Sequence, residues 1–517
     1  MEKDTERPIL VAGATGYVGG RLVPLLLRKG CRVRALTRNG EKVRSRPWGQ
    51  HENLEISQGN MHDVESVRRA AEGCGVIYYL IHSMEAQYTD FSEADRHAAY
   101  TMVRVLKGRE NCRLIYLSGL LPDDPYLSTH LRSRAEVAEI LSLADTPVTT
   151  LRAAQIIGAG SASFEMLRWL TERLSIMLTP KWTHVRTQPI SITDTLGYLT
   201  GVLDHPETAG QTYDIGGPDI LRYADLINLY AAVARLPKRV LIPFPLMGLE
   251  LSARWINLVT PIPYALARPL LEGMRNEVVC KEHRIRNIIP QELTPIRTAI
   301  ERALGHLRHQ TVKSSWFDAG MPSVPEWVLS GDATHAWGSV YTDAYAVRLA
   351  ASPAEVWRPI VQIGGTTGWY SKNILWKLRG FMDTLMGGPG TRRGRRSAEN
   401  LYVGDGLDFW RVLDIQPEKR LLLFTEMRLP GEGLLDLCVR PATGEDKTEA
   451  DASGTNLVLT LRFRSRGLLG ILYWYAVSPF HRFVFIAMLK AIAERIGCPV
   501  LRGPVRLKIA SSGNHKI

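Results

Sequence analysis

Three glycines, Gly13, Gly16 and Gly19, recur at intervals of three in VAGATGYVGG, directly after the apolar run that begins at Ile9. With Ala14, Thr15, Tyr17 and Val18 between them, they suit a loop that lets backbone approach a pyrophosphate and presents it to a helix N-terminus, whose amides and dipole favour an anion. A lone glycine pattern is a weak signal. Here a strand precedes it and a helix follows it inside a β-α-β unit, so a dinucleotide site is expected. The second apolar run ends in ALTRNGEKVRSR and places Arg38 where an acid would hold the ribose 2′-hydroxyl of NAD. A guanidinium there, with Lys42 or Arg44 as helpers, favours a 2′-phosphate, so NADP(H) is expected over NAD(H). The alternative is a solvated arginine cluster.

Groups able to move a proton are sparser. Ser118 ends the run in YLSGL, where its hydroxyl either polarises a carbonyl or serves a turn. His82 follows the fourth strand-like run in a comparable position. The helix STHLRSRAEVAEIL carries His130 and Arg134. The imidazole titrates near neutrality and is either an acid or base, or a cap at the helix start. The guanidinium of Arg134 binds ribose or phosphate but does not donate a proton at working pH. The six cysteines lie far apart without a C-x-x-C pair, so no metal site is expected, and reduced thiols are.

These groups need a scaffold. From residue 8 to about 240, short β-type runs (ILVAGA, RVRALTR, LEISQGN, VIYYLIHS, RLIYLSG, VTTLRAAQI) alternate with helical stretches. That alternation predicts a doubly wound parallel sheet with a site at its carboxyl edge. Proline-broken apolar helices between 240 and 300 are expected to roof a cleft. The division is residues 1–310 for this domain, 311–335 for a linker with the boundary near Ser330, and 336–500 for a second domain. In the second domain YTDAYAVRLAA is followed by a short helix, SPAEVWRPIVQIG, capped by Ser352 with Pro353 in its first turn. Its run NLVLTLRFRS puts Leu457, Leu459, Leu461 and Phe463 on one face. A last helix, Pro479 to Ile496, is apolar on nearly all sides and should pack on the preceding antiparallel sheet.

Two features of the second domain have alternative readings. The loop TRRGRRS, with Arg392, Arg393, Arg395 and Arg396, either binds a phosphate or acidic headgroup or is solvated. Trp369, Tyr370, Trp376, Trp410, Tyr473, Trp474 and Tyr475 either line a cavity for a flat apolar ligand or fill the core.

The 517 residues carry 64 Lys and Arg against 52 Asp and Glu, a net charge of +12. The surplus suits anionic cofactors or anionic lipid, while nucleic acid is disfavoured because no helix-turn-helix, finger or single-strand-binding signature accompanies it. The charged start MEKDTERPIL is no signal peptide, so a cytoplasmic location is expected. The uncharged runs from Trp255 and Gly467 are shorter than a span needs. They read as buried helices or as surface-lying segments peripheral to an inner membrane.

In this order, GATGYVG, QGNMHD, YYLIHS, IYLSGL, RTQPISITD and YDIGGPDILRYADLI resemble an atypical or extended short-chain dehydrogenase/reductase. More closely they resemble the NmrA-like and complex I 39 kDa-like branch of NAD(P)-binding proteins, over residues 8 to about 300. The resemblance implies that Asn60 and Met61 lie near the adenine and that Leu80, Ile81, His82 and Ser118 line the nicotinamide side. The family's Tyr-x-x-x-Lys pair is absent: His130 falls at the tyrosine and Arg134 at the lysine. Residues 330–500 resemble the DUF2867 domain that follows such a fold in bacterial proteins. Their element order is similar to the START-like (SRPBCC) helix-grip α+β fold, whose cup holds apolar ligands. The implied function is an NADP(H)-dependent oxidoreductase acting on an apolar carbonyl, enone or quinone-like compound. The alternative is a non-catalytic NADP(H)-binding redox sensor or assembly module with a ligand- or lipid-reading C-terminal domain.

Overall fold

The computed structural model describes residues 7–82, 91–122, 127–244, 248–260, 262–318, 320, 340–442 and 454–507. The chain forms two compact units, Met1–Gly320 and Met321–Ile517. The boundary expected near Ser330 lies outside the described residues.

The first unit is built on β1 (Ile9–Ala12), β2 (Val33–Thr37), β3 (Leu54–Gln58), β4 (Val76–Tyr79), β5 (Arg113–Gly119), β6 (Val148–Ala153) and β7 (Thr212–Ile215). They pair in parallel in the order β7-β6-β5-β4-β1-β2-β3. The short apolar runs become strands because both sheet faces are covered. Ile9 and Val11 enter one core, with Val33, Ala35, Tyr78 and Ile115, while Leu10 and Ala12 enter the opposite one, with Leu36, Ile77, Tyr79 and Tyr116. Side chains alternating across a strand cannot serve two buried faces unless every position is apolar, which is what β1 shows. The helix α1 (Gly19–Arg28) closes the first face with Leu22, Val23, Leu26 and Leu27. On the second face lies α2 (Phe91–Leu106), with α3 (Thr129–Leu141) packed beside it. The strand order reverses between β1 and β4, and outside the carboxyl ends of such a switch point an open α/β sheet places its ligand.

Four further helices of this unit, α4 (Ala162–Arg173), α5 (Tyr223–Val233), α6 (Leu249–Val259) and α7 (Tyr264–Gly273), gather beyond β6. The proline-rich texture of 240–300 thus resolves into α6 and α7, with Pro269 inside α7. The segment 311–335 does not begin as a linker. Ser314 Oγ donates to Tyr17 O at 2.6 Å, Trp316 N donates to Gly160 O at 2.7 Å, and Asp318 is fully buried 3.7 Å from the Arg46 guanidinium. A buried carboxylate with cationic and amide partners anchors residues 314–318 to the first unit, behind the glycine loop.

The second unit is an antiparallel sheet. Its elements are β8 (Val340–Leu349), α8 (Pro353–Val361), α9 (Asn373–Leu385), β9 (Gly406–Leu407), β10 (Trp410–Gln416), β11 (Arg420–Thr425), β12 (Gly431–Pro441), β13 (Thr455–Ser465), α10 (Gly467–Ile496) and β14 (Val500–Arg506). The strand order is β9-β10-β11-β12-β13-β8-β14, with β12 and β13 in unbroken register from Gly431↔Ser465 to Pro441↔Thr455. Leu457, Leu459, Leu461 and Phe463 share one face and meet Leu435, Leu437 and Tyr345 from neighbouring strands. Ser352 caps α8 through a reciprocal box with Glu355.

Two expectations for this unit change. The last helix begins at Gly467 rather than at Pro479, so the proline sits inside it. Its domain also continues past residue 500, because β14 returns to pair with β8. Nor is α10 packed on all sides: Trp474, Phe485, Met488, Leu489 and Ile492 enter the core, while Leu468, Leu472, Phe480 and Phe483 are exposed.

Candidate functional site

The carboxyl ends of β1 and β4 lie in register beside β5, with Ala12 opposite Tyr79 and Tyr79 opposite Tyr116. Gly13 lies one residue past Ala12; Leu80, Ile81 and His82 lie one to three past Tyr79; and Ser118 lies near the end of β5, two past Tyr116. The sheet thereby brings the glycine loop and the nicotinamide-side candidates to a single edge.

The three glycines are glycine for different reasons. Gly13 has φ +94°, and a Cβ there would lie 2.9 Å from Leu80 O. At Gly19 a Cβ would lie 2.1 Å from Gly13 O, so helix and loop could not close. At Gly16 the nearest protein atom to a Cβ is Gly13 O at 3.4 Å, and φ is ordinary. The fold itself asks little of Gly16, so the space it leaves is a cradle for something else. Val18, the N-cap of α1, supplies no side-chain cap, and the first turn carries no acid. An open loop leading to a helix start without anionic competition fits a dinucleotide pyrophosphate. Ala14 is buried and Thr15 and Val18 partly so, whereas the Tyr17 ring turns inward to lie 4.9 Å from the Arg21 guanidinium. Burial pushes the Tyr17 phenol up to about 12, so Tyr17 offers the loop its main chain only.

Where the adenine end is expected, Arg38 is exposed immediately after β2, and its carbonyl accepts from Gln58 Nε2 at 3.4 Å. Its expected helpers are engaged elsewhere: Lys42 is buried and donates to Asp318 O, and Arg44 pairs with Glu41. Asn60 is exposed and its Oδ1 accepts from His62 N at 3.1 Å, while Met61 is buried in the core beside Leu36.

Where the nicotinamide is expected, Ser118 is buried with an Oγ that has no partner among the described residues. Arg134 is also buried, donating from Nη1 to Tyr116 Oη at 3.3 Å and to Ile81 O at 3.4 Å. Its counter-ion is Asp95 of α2, 3.8 Å away, which also lies 3.4 Å from His82 Nδ1 and accepts from Ser133 Oγ at 3.4 Å. The rings of His82 and His130 face one another at 5.0 Å. Burial, and then Arg134, push His82 down to about 4 against the pull of Asp95. Burial, His82 and Arg134 hold His130 well below its ordinary value. Burial opposes the charge on Arg134, but Tyr116 and Asp95 more than offset it. The site therefore holds two neutral imidazoles beside one fixed ion pair. His130, expected to titrate near neutrality, is thus held neutral in the folded chain.

Asp95 is absent from the sequence reading. The available signal was an acid set among Ala94, Ala98, Ala99 and Met102 on the buried stripe of α2, a position an acid occupies only when paired.

Beyond β6 lies a half-open apolar cleft walled by Met166 and Leu170 of α4, Leu226 of α5, Trp255 of α6 and Leu271 of α7. Two of its lining residues carry buried polar atoms without partners among the described residues, Gln155 Oε1 and Thr179 Oγ1.

In the second unit, three arginines of the TRRGRRS loop are held by protein partners. Arg393 pairs with Glu426, Arg395 donates to the carbonyls of Val361 and Ile363 at 2.8 Å each, and Arg396 pairs with Asp405; the Arg392 side chain lies outside the described residues. The aromatic residues mostly fill the core. Trp369 stacks on Trp376 at 4.8 Å, and Trp474 stacks on Phe463 at 5.8 Å, while Tyr475 is exposed. Among the described residues no cluster of His, Cys, Asp and Glu could hold a metal ion, and all six cysteines are unpaired.

Residues 13–160 match a family model described as NAD(P)H-binding, and residues 335–488 match one described as a protein of unknown function (DUF2867). The chain is 24% identical over 265 residues to the mitochondrial NADH dehydrogenase [ubiquinone] 1 alpha subcomplex subunit 9 of Arabidopsis thaliana, covering 50% of this chain and 66% of that protein. It is 24% identical over 178 residues to the ceramide reductase of Caulobacter vibrioides, covering 34% and 55%. The matches span 55 to 66% of the curated relatives' own length. Among solved structures, a Citrobacter sp. triphenylmethane reductase complexed with NADP(H) is similar at 19% identity over 57% of this chain and 99% of that one, with a TM-score of 0.47. The chain thus joins a parallel-sheet, Rossmann-like NAD(P)H-binding domain to a C-terminal DUF2867 domain.

Proposed function

We propose that this chain is an NADP(H)-dependent oxidoreductase acting on an apolar carbonyl, enone or quinone-like compound. The observation that carries the reading is the apolar cleft beyond β6, in the same unit as the glycine loop, with Gln155 Oε1 and Thr179 Oγ1 as its unpartnered polar atoms. Such a cleft holds an apolar body and uses a few polar atoms to orient it. Among the curated relatives, one is named a ceramide reductase, which agrees with a long apolar substrate.

The glycine loop and the start of α1 would hold the pyrophosphate, and Arg38 the 2′-phosphate. The bound nicotinamide supplies hydride-transfer chemistry. Ser118 Oγ, buried and unpartnered, would donate to the substrate oxygen as negative charge develops there. Arg134 replaces the family's lysine with a cation that keeps its proton, and Asp95 fixes its place. Unpaired thiols support a reducing, cytoplasmic setting. If the second unit is START-like, as its element order suggests, it would bind an apolar ligand.

The test is to titrate purified protein with NADPH, then follow nicotinamide absorbance with quinones, enones and long-chain aldehydes. Turnover lost in Ser118→Ala is the expected result. The rival reading, a non-catalytic NADP(H) sensor, is favoured by the neutrality of both imidazoles and the missing Tyr-x-x-x-Lys pair. Tight NADPH binding without oxidation by any of these compounds would support it.

A further inference from the structure

We propose that the second unit docks on the surface of an anionic lipid bilayer through α9 and the first half of α10. Lys372 Nζ lies 4.4 Å from the centre of the Phe483 ring, and Arg379 Nη2 donates to Tyr473 Oη at 3.4 Å, so α9 runs antiparallel beside this half of α10. On the solvent side of α9, Ile374, Leu378, Phe381 and Leu385 recur at helical spacing, with Ile374 79% exposed. On α10, Leu469, Leu472, Tyr475, Phe480 and Phe483 do the same, with Leu469 73% exposed. Exposed apolar stripes on two adjacent helices form a larger patch than a solvated surface ordinarily carries. From Val484 to Ile496 the exposed residues of α10 are Lys490, Glu494 and Arg495, so its exposed large apolar side chains are confined to Gly467–Phe483, the stretch beside α9.

Charge selects the occupant. Lys372, Lys377 and Arg482 are exposed on these helices or their flank, and Arg379 is partly so. Residues 467–489 contain no Asp or Glu. The one acid of α9, Asp383, is fully buried and accepts from Gly390 N at 2.8 Å and Arg428 N at 2.7 Å. A second copy of this face would set cations against cations. Anionic headgroups neutralise them while the Leu and Phe side chains enter the acyl boundary.

The helix lies on the bilayer rather than across it. Gly467–Ile496 is long and apolar enough to span by length and composition. However, Trp474, Phe485, Met488 and Leu489 form the core of this unit, and His481 Nδ1 is held 3.1 Å from Asp343 Oδ2 on β8. Surrounding α10 with lipid would require dismantling that core.

The experiment is flotation of the full chain with phosphatidylcholine vesicles, with and without phosphatidylglycerol, at low and high salt. Flotation is expected with phosphatidylglycerol only, weakened by salt, and reduced about five-fold for each cation removed in Lys377→Gln and Arg482→Gln. The double variant Leu378→Asp with Phe480→Asp should abolish it. All these positions are exposed, so thermal melting and NADPH affinity should match the parent chain. Three results would overturn the proposal: no flotation with either vesicle, equal flotation with both, or variants that float like the parent. So would a concentration-dependent dimer in sedimentation velocity that these variants dissolve while vesicle binding is absent.

Discussion

His82 and His130 face each other with ring centroids 5.0 Å apart and planes tilted by 33°, beside the Arg134 guanidinium. Protonating either imidazole would bring a second positive charge against Arg134, and burial already opposes it. In the folded chain His82 takes up its proton only near pH 4, whereas an unfolded histidine does so near 6.5. Between those values the unfolded state binds more protons, so stability rises with pH across this window and is fully present above about 6.5. Thermal melts should show the midpoint falling as pH drops from 7 towards 4. The slope should be shallower in His82→Gln. An unchanged slope in the variant would show that His82 is not the group that titrates.

Asp95 and Arg134 are both buried, on α2 and α3, 3.8 Å apart. Removing one partner of such a pair leaves the other charge uncompensated in a low dielectric. Asp95→Asn should cost about 3 kcal/mol or more in denaturant unfolding. Adding Arg134→Met should recover part of the loss, because the buried cation is then gone as well. If the two substitutions add, no coupling exists between them.

The loop glycines separate folding from binding. Gly19→Ala places a Cβ 2.1 Å from Gly13 O and should lower the melting temperature. Gly16→Ala meets only Gly13 O at 3.4 Å, so the fold should hold while the space for the pyrophosphate is narrowed. NADPH fluorescence titration should then show at least a ten-fold weaker affinity at an unchanged melting temperature. Equal loss of stability in both variants would mean that Gly16 serves packing instead.

The doubly wound sheet was legible because its signals are local. Apolar runs buried on both faces, a glycine loop and a following helix all lie within short windows, and Leu457 to Phe463 alternate visibly. What escaped depends on distant partners. The arginines of TRRGRRS look solvated until Glu426, Asp405 and the carbonyls of Val361 and Ile363 come to meet them. Asp95 looks like one more surface acid until Arg134 arrives from another helix. Pro479 reads as a helix start, yet within α10 it removes only one main-chain donor on the exposed side, and core packing through Trp474 and Phe485 carries the helix through it.

The proposed NADP(H) selectivity is tested at Arg38. It is exposed at the carboxyl end of β2, whereas Lys42 is buried against Asp318 O and Arg44 pairs with Glu41. A hydrogen bond to a charged group contributes about 1.5–3 kcal/mol, so Arg38→Ala should weaken NADPH binding by about ten- to a hundred-fold and leave NADH nearly unchanged. Lys42→Ala should behave oppositely. It strips the Asp318 carbonyl of its buried donor and loosens residues 314–318 behind the glycine loop, so the melting temperature falls while the ratio of NADPH to NADH affinity stays put. Measuring both affinities and both melts distinguishes a phosphate ligand from a structural cation four residues away. An unchanged ratio of NADPH to NADH affinity in Arg38→Ala would overturn the assignment of a 2′-phosphate to Arg38.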